Sequence, residues 1–325
     1  MSFAQRALAL LLFAFALVLS VSQPLAQAYP TRSITFVVPF PAGGSADTIM
    51  RLIGQHLSQR WSQSVVIENK PGTGGNIGND AVAKAAPDGY TFLMSPSSIS
   101  IVPHLYSKLN YDPMKDFVPV TLVGNIPMVI VVNPDFPAKS LAELIAMAKA
   151  KPGEITYASA GNGTTNHLAT EMFKVMTGID MLHIPYRGNP LAVVDVIGGR
   201  VPVFFDFVLT GLPHVREGKV RALATTGATR AAVLPNVPTA IEAGVAGFET
   251  GTWFGIYAPA GTPKAIVDRL NGEVRKILET ADMKEKLARE GAEPLIQTPE
   301  QFDRTLRSSV ATWRKVVKDA NIKLD

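Results

Sequence analysis

Residues 37–53, VVPFPAGGSADTIMRLI, carry an apolar run through a Pro/Gly turn into a helical pattern. The run 33–40 reads as a strand, and 45–61 reads as a helix with Ile49, Leu52, Ile53 and Leu57 on one face. Strand, glycine turn and helix in that order form the unit of a parallel sheet with crossover helices. The same order returns along the chain. The strand 65–68 is followed by NKPGTGGNIGND (69–80) and a helix through 85; PDG (87–89) turns into the strand 90–94, after which SPSSIS (95–100) reads as a loop. The strand 155–158 leads through SAGNGTTNHL (159–168) into a helix with Leu168, Met172, Phe173 and Met176 on one side. Further strands are expected at 118–123, 128–132, 181–186, 201–205 and 220–225. One helix follows the N-cap Ser140, and another opens on Pro190 and stops at Gly198 and Gly199. From GFETGTWFGIYAPAG (247–261) the pattern changes, and three helices are expected at 263–279, 282–291 and 299–320 with few strands. The economical reading is two α/β lobes, chain crossings near 130 and 250, and C-terminal helices packed back on the first lobe.

The glycine turn has a chemical reading as well as a structural one. The first N–H groups of a helix have no partner within it, and the helix dipole adds partial positive charge there. A Gly-rich strand-to-helix turn is therefore an anion cradle. Gly43 and Gly44 allow close backbone approach, Ser45 caps the helix or offers a hydroxyl, and Asp47 in the first turn competes with a bound anion. This combination favours a carboxylate over a multiply charged phosphate. A plain connecting turn is the alternative for any one such stretch; repetition at 71–78, with Gly74, and at 159–167 argues for a ligand held between lobes. Phe40 and Tyr186 suit the walls for an apolar ligand body, or else belong to the core. Arg187 is a cation near this cleft, and Asp206, closing the run VPVFFD, stands at a strand end where a site or an Asx turn would lie.

Other chemistries find less support. Gly72, Gly74 and Gly78 miss the G-x-G-x-x-G spacing by one residue, and no Gly-Lys-Ser/Thr follows, so a nucleotide loop is disfavoured. No G-x-S-x-G elbow is present, so Ser45 or Ser95 as a hydrolase nucleophile would need an unrecognised base. The five histidines form no metal-binding pair; His167 suits a capping role and His183 a hydrogen-bonded core position. No cysteine is present, which excludes disulfides, thiol nucleophiles and thiolate metal sites. No metal, cofactor or catalytic residue is expected.

The N-terminal segment is expected to be a signal peptide, residues 1–28, with Arg6, an apolar run and the pattern LAQA before Tyr29. Without Arg6 the remaining 30 basic and 27 acidic residues leave a net charge of +3, too weak to imply nucleic-acid binding.

Taken together, YPTRSITFVVPFPAGGSAD, VIENKPGTGGNIG, AAPDGYTFL, YASAGNGTTNHLATEMF, HIPYRGNPLAVVDVIGGRVPVFFD and TWFGIYAPAGTP resemble the tripartite tricarboxylate transporter substrate-binding proteins, the Bug family of periplasmic receptors. The resemblance covers nearly the whole chain after Tyr29. It implies a type II periplasmic-binding-protein fold: two lobes, each with a mixed, mainly parallel sheet flanked by helices, joined by a hinge of two crossing segments. The implied lobes are 29–130 with 250–325, and 131–249. The implied ligand is a small carboxylate, whether a di- or tricarboxylate, an acidic amino acid or an aromatic acid. The resemblance points to Phe40, Ala42, Gly43, Ser45 and Asp47 from one lobe and to Ala160, Gly161, Thr164, Thr165 and Asp206 from the other as its contacts; the reading of the turns and strand ends adds Gly44, Gly74, Ser95 and Tyr186 as candidate contacts. Many members have a small residue where this chain has Asn189. The implied partners are membrane transport subunits, with the receptor a periplasmic monomer. A ligand sensor, a secreted hydrolase and a structural interaction protein are the competing readings.

Overall fold

The computed structural model describes residues 29–106, 108–289 and 291–319. The expected signal peptide lies outside the described residues, and the fold below is that of the unit Arg32–Asp325. In chain order the first elements are β1 (Ile34–Val38), α1 (Ser45–Trp61), β2 (Val65–Asn69), α2 (Asn76–Ala83), β3 (Thr91–Pro96) and β4 (Phe117–Val132). There follow α3 (Leu141–Ala150), β5 (Thr156–Ser159), α4 (Thr165–Thr177), β6 (Leu182–Pro185), α5 (Asn189–Ile197), β7 (Val203–Phe207), α6 (Val208–Arg216) and β8 (Arg221–Thr225). The chain closes with β9 (Gly251–Pro259), α7 (Lys264–Leu278), α8 (Ala281–Arg289) and α9 (Pro299–Asp319).

Two sheets share one long strand. In the first, β1 lies between β2 and β3, parallel to both, and β9 joins β3 antiparallel. In the second, β5 lies parallel between β6 and β7. β4 connects them: Phe117 to Pro127 pairs with β9, and Met128 to Val132 pairs with β7 and β8. The result is a mixed α/β fold of two lobes, each with parallel strand–helix units, and the antiparallel pairs lie at their junction. Apolar runs such as Ile34–Val38 are buried because parallel strands are covered on both faces.

β4 corrects the expectation of separate strands at 118–123 and 128–132. The residues between them, Gly124 to Pro127, pair with Phe254 to Gly251, and register slips at Pro119/Thr121 and Leu122/Gly124 absorb the irregular residues. Tertiary pairing overrides local strand-breaking character here. β9 itself was hidden in the segment 247–261. Its Gly255 is a close-approach glycine, not a turn residue: a Cβ there would lie 2.2 Å from Phe302 Cζ. Phe302, fully buried, also packs against Trp253 and Tyr257, which seats α9 on β9. On α4, Leu168 and Phe173 are buried, whereas Met176 is 42% exposed, so the expected apolar face is narrower than four residues.

One side chain ties the two crossing segments together. The buried Thr226 hydroxyl accepts from Met128 N–H at 2.8 Å and donates to the Thr250 carbonyl at 2.5 Å. Its own backbone exchanges bonds with both: Thr226 N–H donates to Met128 O and Thr250 N–H donates to Thr226 O. Thr226→Val keeps the shape and deletes the hydroxyl, leaving two crossing-segment groups short of a partner. It is expected to lower unfolding free energy by about 1–2 kcal/mol in urea titration.

Candidate functional site

β1 ends at Val38, and Pro39 to Gly44 then turn the chain into α1. The turn is held from beneath by Asp47. One carboxylate oxygen accepts from Gly43 N–H at 2.9 Å and Arg51 Nε at 2.9 Å, and the other accepts from Asn69 Nδ2 at 3.0 Å. Asn69 also donates to Phe40 O at 3.0 Å. Burial opposes ionisation of Asp47, but the hydrogen bonds from Arg51, Gly43 and Asn69 outweigh it and hold the carboxyl below its usual range. The expected competition between Asp47 and a bound anion is thus blunted, because Arg51 pairs the charge. Gly44 caps α1 without any side-chain hydrogen bond, so the N–H groups of its first turn are left for another acceptor.

The second lobe repeats the arrangement. Gly161, at φ +129, lets the turn after β5 fold back: its carbonyl accepts from Thr164 Oγ1 at 2.7 Å, and its N–H donates to Ser159 Oγ at 3.0 Å. Thr164 caps α4, again with no side-chain hydrogen bond to the helix. His183 Nε2 meets Ser159 Oγ at 2.5 Å, and the His183 ring stacks on that of His167, whose Nδ1 accepts from Gly163 N–H. Burial lowers both histidines, to about 3 and about 4, so the stack is neutral at physiological pH. Both rings buttress the loop.

These two helix N-termini line one cavity. Phe40, Gly44 and Ser45 face it from the first lobe, and Ala160, Thr164 and Thr165 from the second. The space open to water-molecule centres is about 30 Å³, enough for about two waters. Ser45 Oγ is buried with no hydrogen-bond partner. Among the described residues no base is hydrogen-bonded to it, so the geometry gives a nucleophilic role no support. Several lining residues escaped the sequence reading: Pro41, Ala46, Pro96, Ser98, Asn166, Pro190, Phe207 and Phe254. Phe207 and Phe254 meet edge to face at 6.1 Å, and Phe254 lies on the unrecognised strand β9. A signal existed for Phe207, which directly follows Asp206.

The remaining expected residues lie elsewhere. Gly74, Gly161 and Tyr186 line an adjacent groove of about 290 Å³ with Arg187, separated from the first cavity by the shared Phe40 and Ala160. Tyr186 there donates to Asp195 at 2.7 Å. Ala42 and Gly43 are exposed on the turn, and Asp47 lies beneath it. Ser95 is buried within the first lobe, donating to Asn79 at 3.3 Å, while its neighbours Pro96 and Ser98 reach the cavity. Asp206 is buried behind the cavity wall: Oδ1 accepts from Asn189 Nδ2, Phe207 N–H and Thr210 Oγ1, and Oδ2 has no partner. Burial pushes its carboxyl up to about 7.

The lobes touch at both flanks of the cavity. Ser97 and Thr165 hydroxyls meet at 3.2 Å, and Tyr106 donates to Asn162 O at 3.3 Å. Gly188 lies against the Pro41 ring and Gly74 against the Asn162 carbonyl, so closely that a Cβ would sit 2.6 Å and 2.4 Å away. Among the described residues no cluster of metal-ligating side chains occurs, and no helix is long and apolar enough to cross a membrane.

Comparison with known proteins agrees with this architecture. BugT of Bordetella pertussis is 40% identical over 301 residues, 92% of each chain. The solved structure of Rpa4515 of R. palustris with adipate superposes with a TM-score of 0.89 at 40% identity, over 91% of this chain and all of that one. MatC from Rhodopseudomonas palustris with bound malate gives 0.82 at 33% identity, over 89% of this chain and all of that one. The periplasmic binding protein BugD superposes with a TM-score of 0.87 at 36% identity, over 91% of this chain and all of that one; the family is one of solute-binding receptors, not enzymes. Residues 49–322 match the model of the tripartite tricarboxylate transporter family receptor, and the chain belongs to that family of type II periplasmic-binding-protein fold.

Proposed function

We propose that this chain is a periplasmic receptor that captures a small carboxylate between its lobes and delivers it to the membrane subunits of a tripartite tricarboxylate-type transporter. The observation that carries the reading is the convergence of two uncapped helix N-termini, one from each lobe, on a single cavity with an unpartnered buried Ser45 hydroxyl. N–H groups and hydroxyls suit a carboxylate, and the apolar walls Phe40, Phe207 and Phe254 suit its carbon body. Structures with adipate and malate in two relatives favour the same ligand chemistry. The lobes in this reading are 29–130 with 250–325, and 131–249. The direct contacts are Phe40, Gly44, Ser45, Ala160, Thr164 and Thr165, with Gly43, Asp47 and Gly161 shaping the loops. Closure excludes water around the carboxylate and strengthens its hydrogen bonds.

The test is thermal unfolding of 29–325 against mono-, di- and tricarboxylates, acidic amino acids and aromatic acids. An acid at ten times its Kd adds about 1.4 kcal/mol, seen as a rise in Tm. Ser45→Ala is expected to weaken that acid by about three- to tenfold without lowering the Tm of the unliganded protein, since Oγ has no partner to lose. No shift with any acid, in folded protein freed of carried-over ligand, would reject the reading.

A further inference from the structure

Asn189 is buried, 7% exposed, opens α5, and lines the cavity that receives the two helix N-termini. Its side-chain orientation is dictated from behind. Asp206 Oδ1 already accepts from Phe207 N–H at 2.8 Å and from Thr210 Oγ1 at 2.6 Å, so it faces Asn189 as an acceptor. Only the amide nitrogen of Asn189 can complete that contact, and it does. The amide oxygen is thereby turned away from Asp206, and among the described residues it has no hydrogen-bond donor. The other polar groups facing the cavity are the helix N-termini, the hydroxyls of Ser45, Ser98, Thr164 and Thr165, and Asn166, whose amide nitrogen donates to the Phe205 carbonyl; Phe207, Phe254 and Pro190 supply apolar wall.

We propose that Asn189, oriented by Asp206, is the specificity-determining acceptor of the site and selects carboxylates that carry a hydroxyl or ammonium donor at the 2-position. The proposal rests on the receptor reading above. The carboxylate sits at the helix N-termini, and the cavity offers only about 30 Å³, so a donor reaching Asn189 is held close to the carboxylate carbon. A site with a buried acceptor rejects the analogue that lacks the donor, because binding then leaves the amide oxygen dry and unpaired. Asp206 acts through Asn189 as a positioning residue and does not touch the ligand.

Calorimetric titration of 29–325 with matched acids tests this: lactate and propionate, malate and succinate, aspartate and succinate, mandelate and phenylacetate. In every pair with a member that binds, the donor-bearing acid is expected to bind at least about tenfold tighter. Asn189→Leu and Asn189→Ala, checked for folding by melting, are expected to bring the ratio to within about threefold of one while keeping the bare acid bound. A bare acid that binds the wild type as tightly as its partner, or a preference that survives in a folded Asn189 variant, overturns the inference and leaves the receptor standing. Failure of every acid to bind folded, ligand-free wild type overturns the receptor reading and the inference with it. The wild-type ratios decide the matter even where a variant fails to fold.

Discussion

Wild-type protein is expected to lose stability between about pH 4 and pH 7 through Asp206, and Asp206→Asn is expected to remove that loss. The carboxyl is fully buried, and burial raises it from 3.8 to about 7 against three hydrogen bonds that favour the charged form. An acid with a raised folded value holds its proton in the folded chain after the unfolded chain has released its own. The unfolded state then binds fewer protons, so unfolding free energy falls as pH rises through this window and is level above it. A separation of about three pH units at 1.36 kcal/mol each sets an upper limit of about 4 kcal/mol. Asparagine matches the protonated carboxyl in shape and still accepts through Oδ1 from Phe207 and Thr210. Urea unfolding of both proteins at pH 4, 5.5, 7 and 8 is the measurement. The variant is expected to be the more stable at pH 8, by up to about 3 kcal/mol once an unpartnered amide hydrogen is counted, with the advantage gone by pH 4. Parallel pH profiles would show that Asp206 keeps its ordinary value in the fold.

Gly188→Ala is expected to weaken ligand binding by at least about a hundredfold, about 2.7 kcal/mol, while the chain stays folded. Gly188 stands at φ +123, and a Cβ would lie 2.6 Å from Pro41 Cδ and 2.7 Å from Pro41 Cγ across the cleft. A proline ring cannot rotate away, so the methyl group holds the lobes apart and the two helix N-termini no longer reach one ligand. The strained φ also costs stability, which a control separates: Gly178 at φ +65 has nothing within 4 Å of its Cβ position. Gly178→Ala is expected to lower Tm and leave affinity unchanged. Pro41→Ala in the Gly188→Ala background removes the opposing ring atoms and is expected to restore at least about tenfold of the lost affinity. Without that rescue, steric separation of the lobes is not the cause.

Local signals carried a great deal of this architecture. The span Ser45–Trp61 was legible as a helix because its apolar spacing and the glycines before it agree, and Ser140 was legible as an N-cap, where it accepts from Glu143 N–H at 3.2 Å. The glycine turn leading into α1 was legible for the same reason, since a helix start is a property of a few consecutive residues. The continuity of β4 through Gly124 to Pro127 and the strand β9 were illegible because these segments are held extended by each other, across more than a hundred residues, against Gly and Pro that read locally as breaks. Ser95 and Ser98 show the same limit in the site. Ser95, on β3, faces Asn79, whereas Ser98, in the short 3-10 turn that follows the strand, reaches the cavity; tertiary packing sets both.

The sequence by itself determined the strand–turn–helix units and the donor character of two turns, since both depend on neighbours along the chain. It also excluded thiol chemistry by containing no cysteine. Only the tertiary structure decided that the turns at Gly44 and Thr164 share one cavity, that Arg187 and Tyr186 stand in the groove beside it, and that Asp47 and Asp206 support the walls from behind. The polarity of Asn189 belongs to this second group. Which end of an amide faces a ligand depends on the carboxylate that β7 places behind it, and no pattern along α5 contains that information.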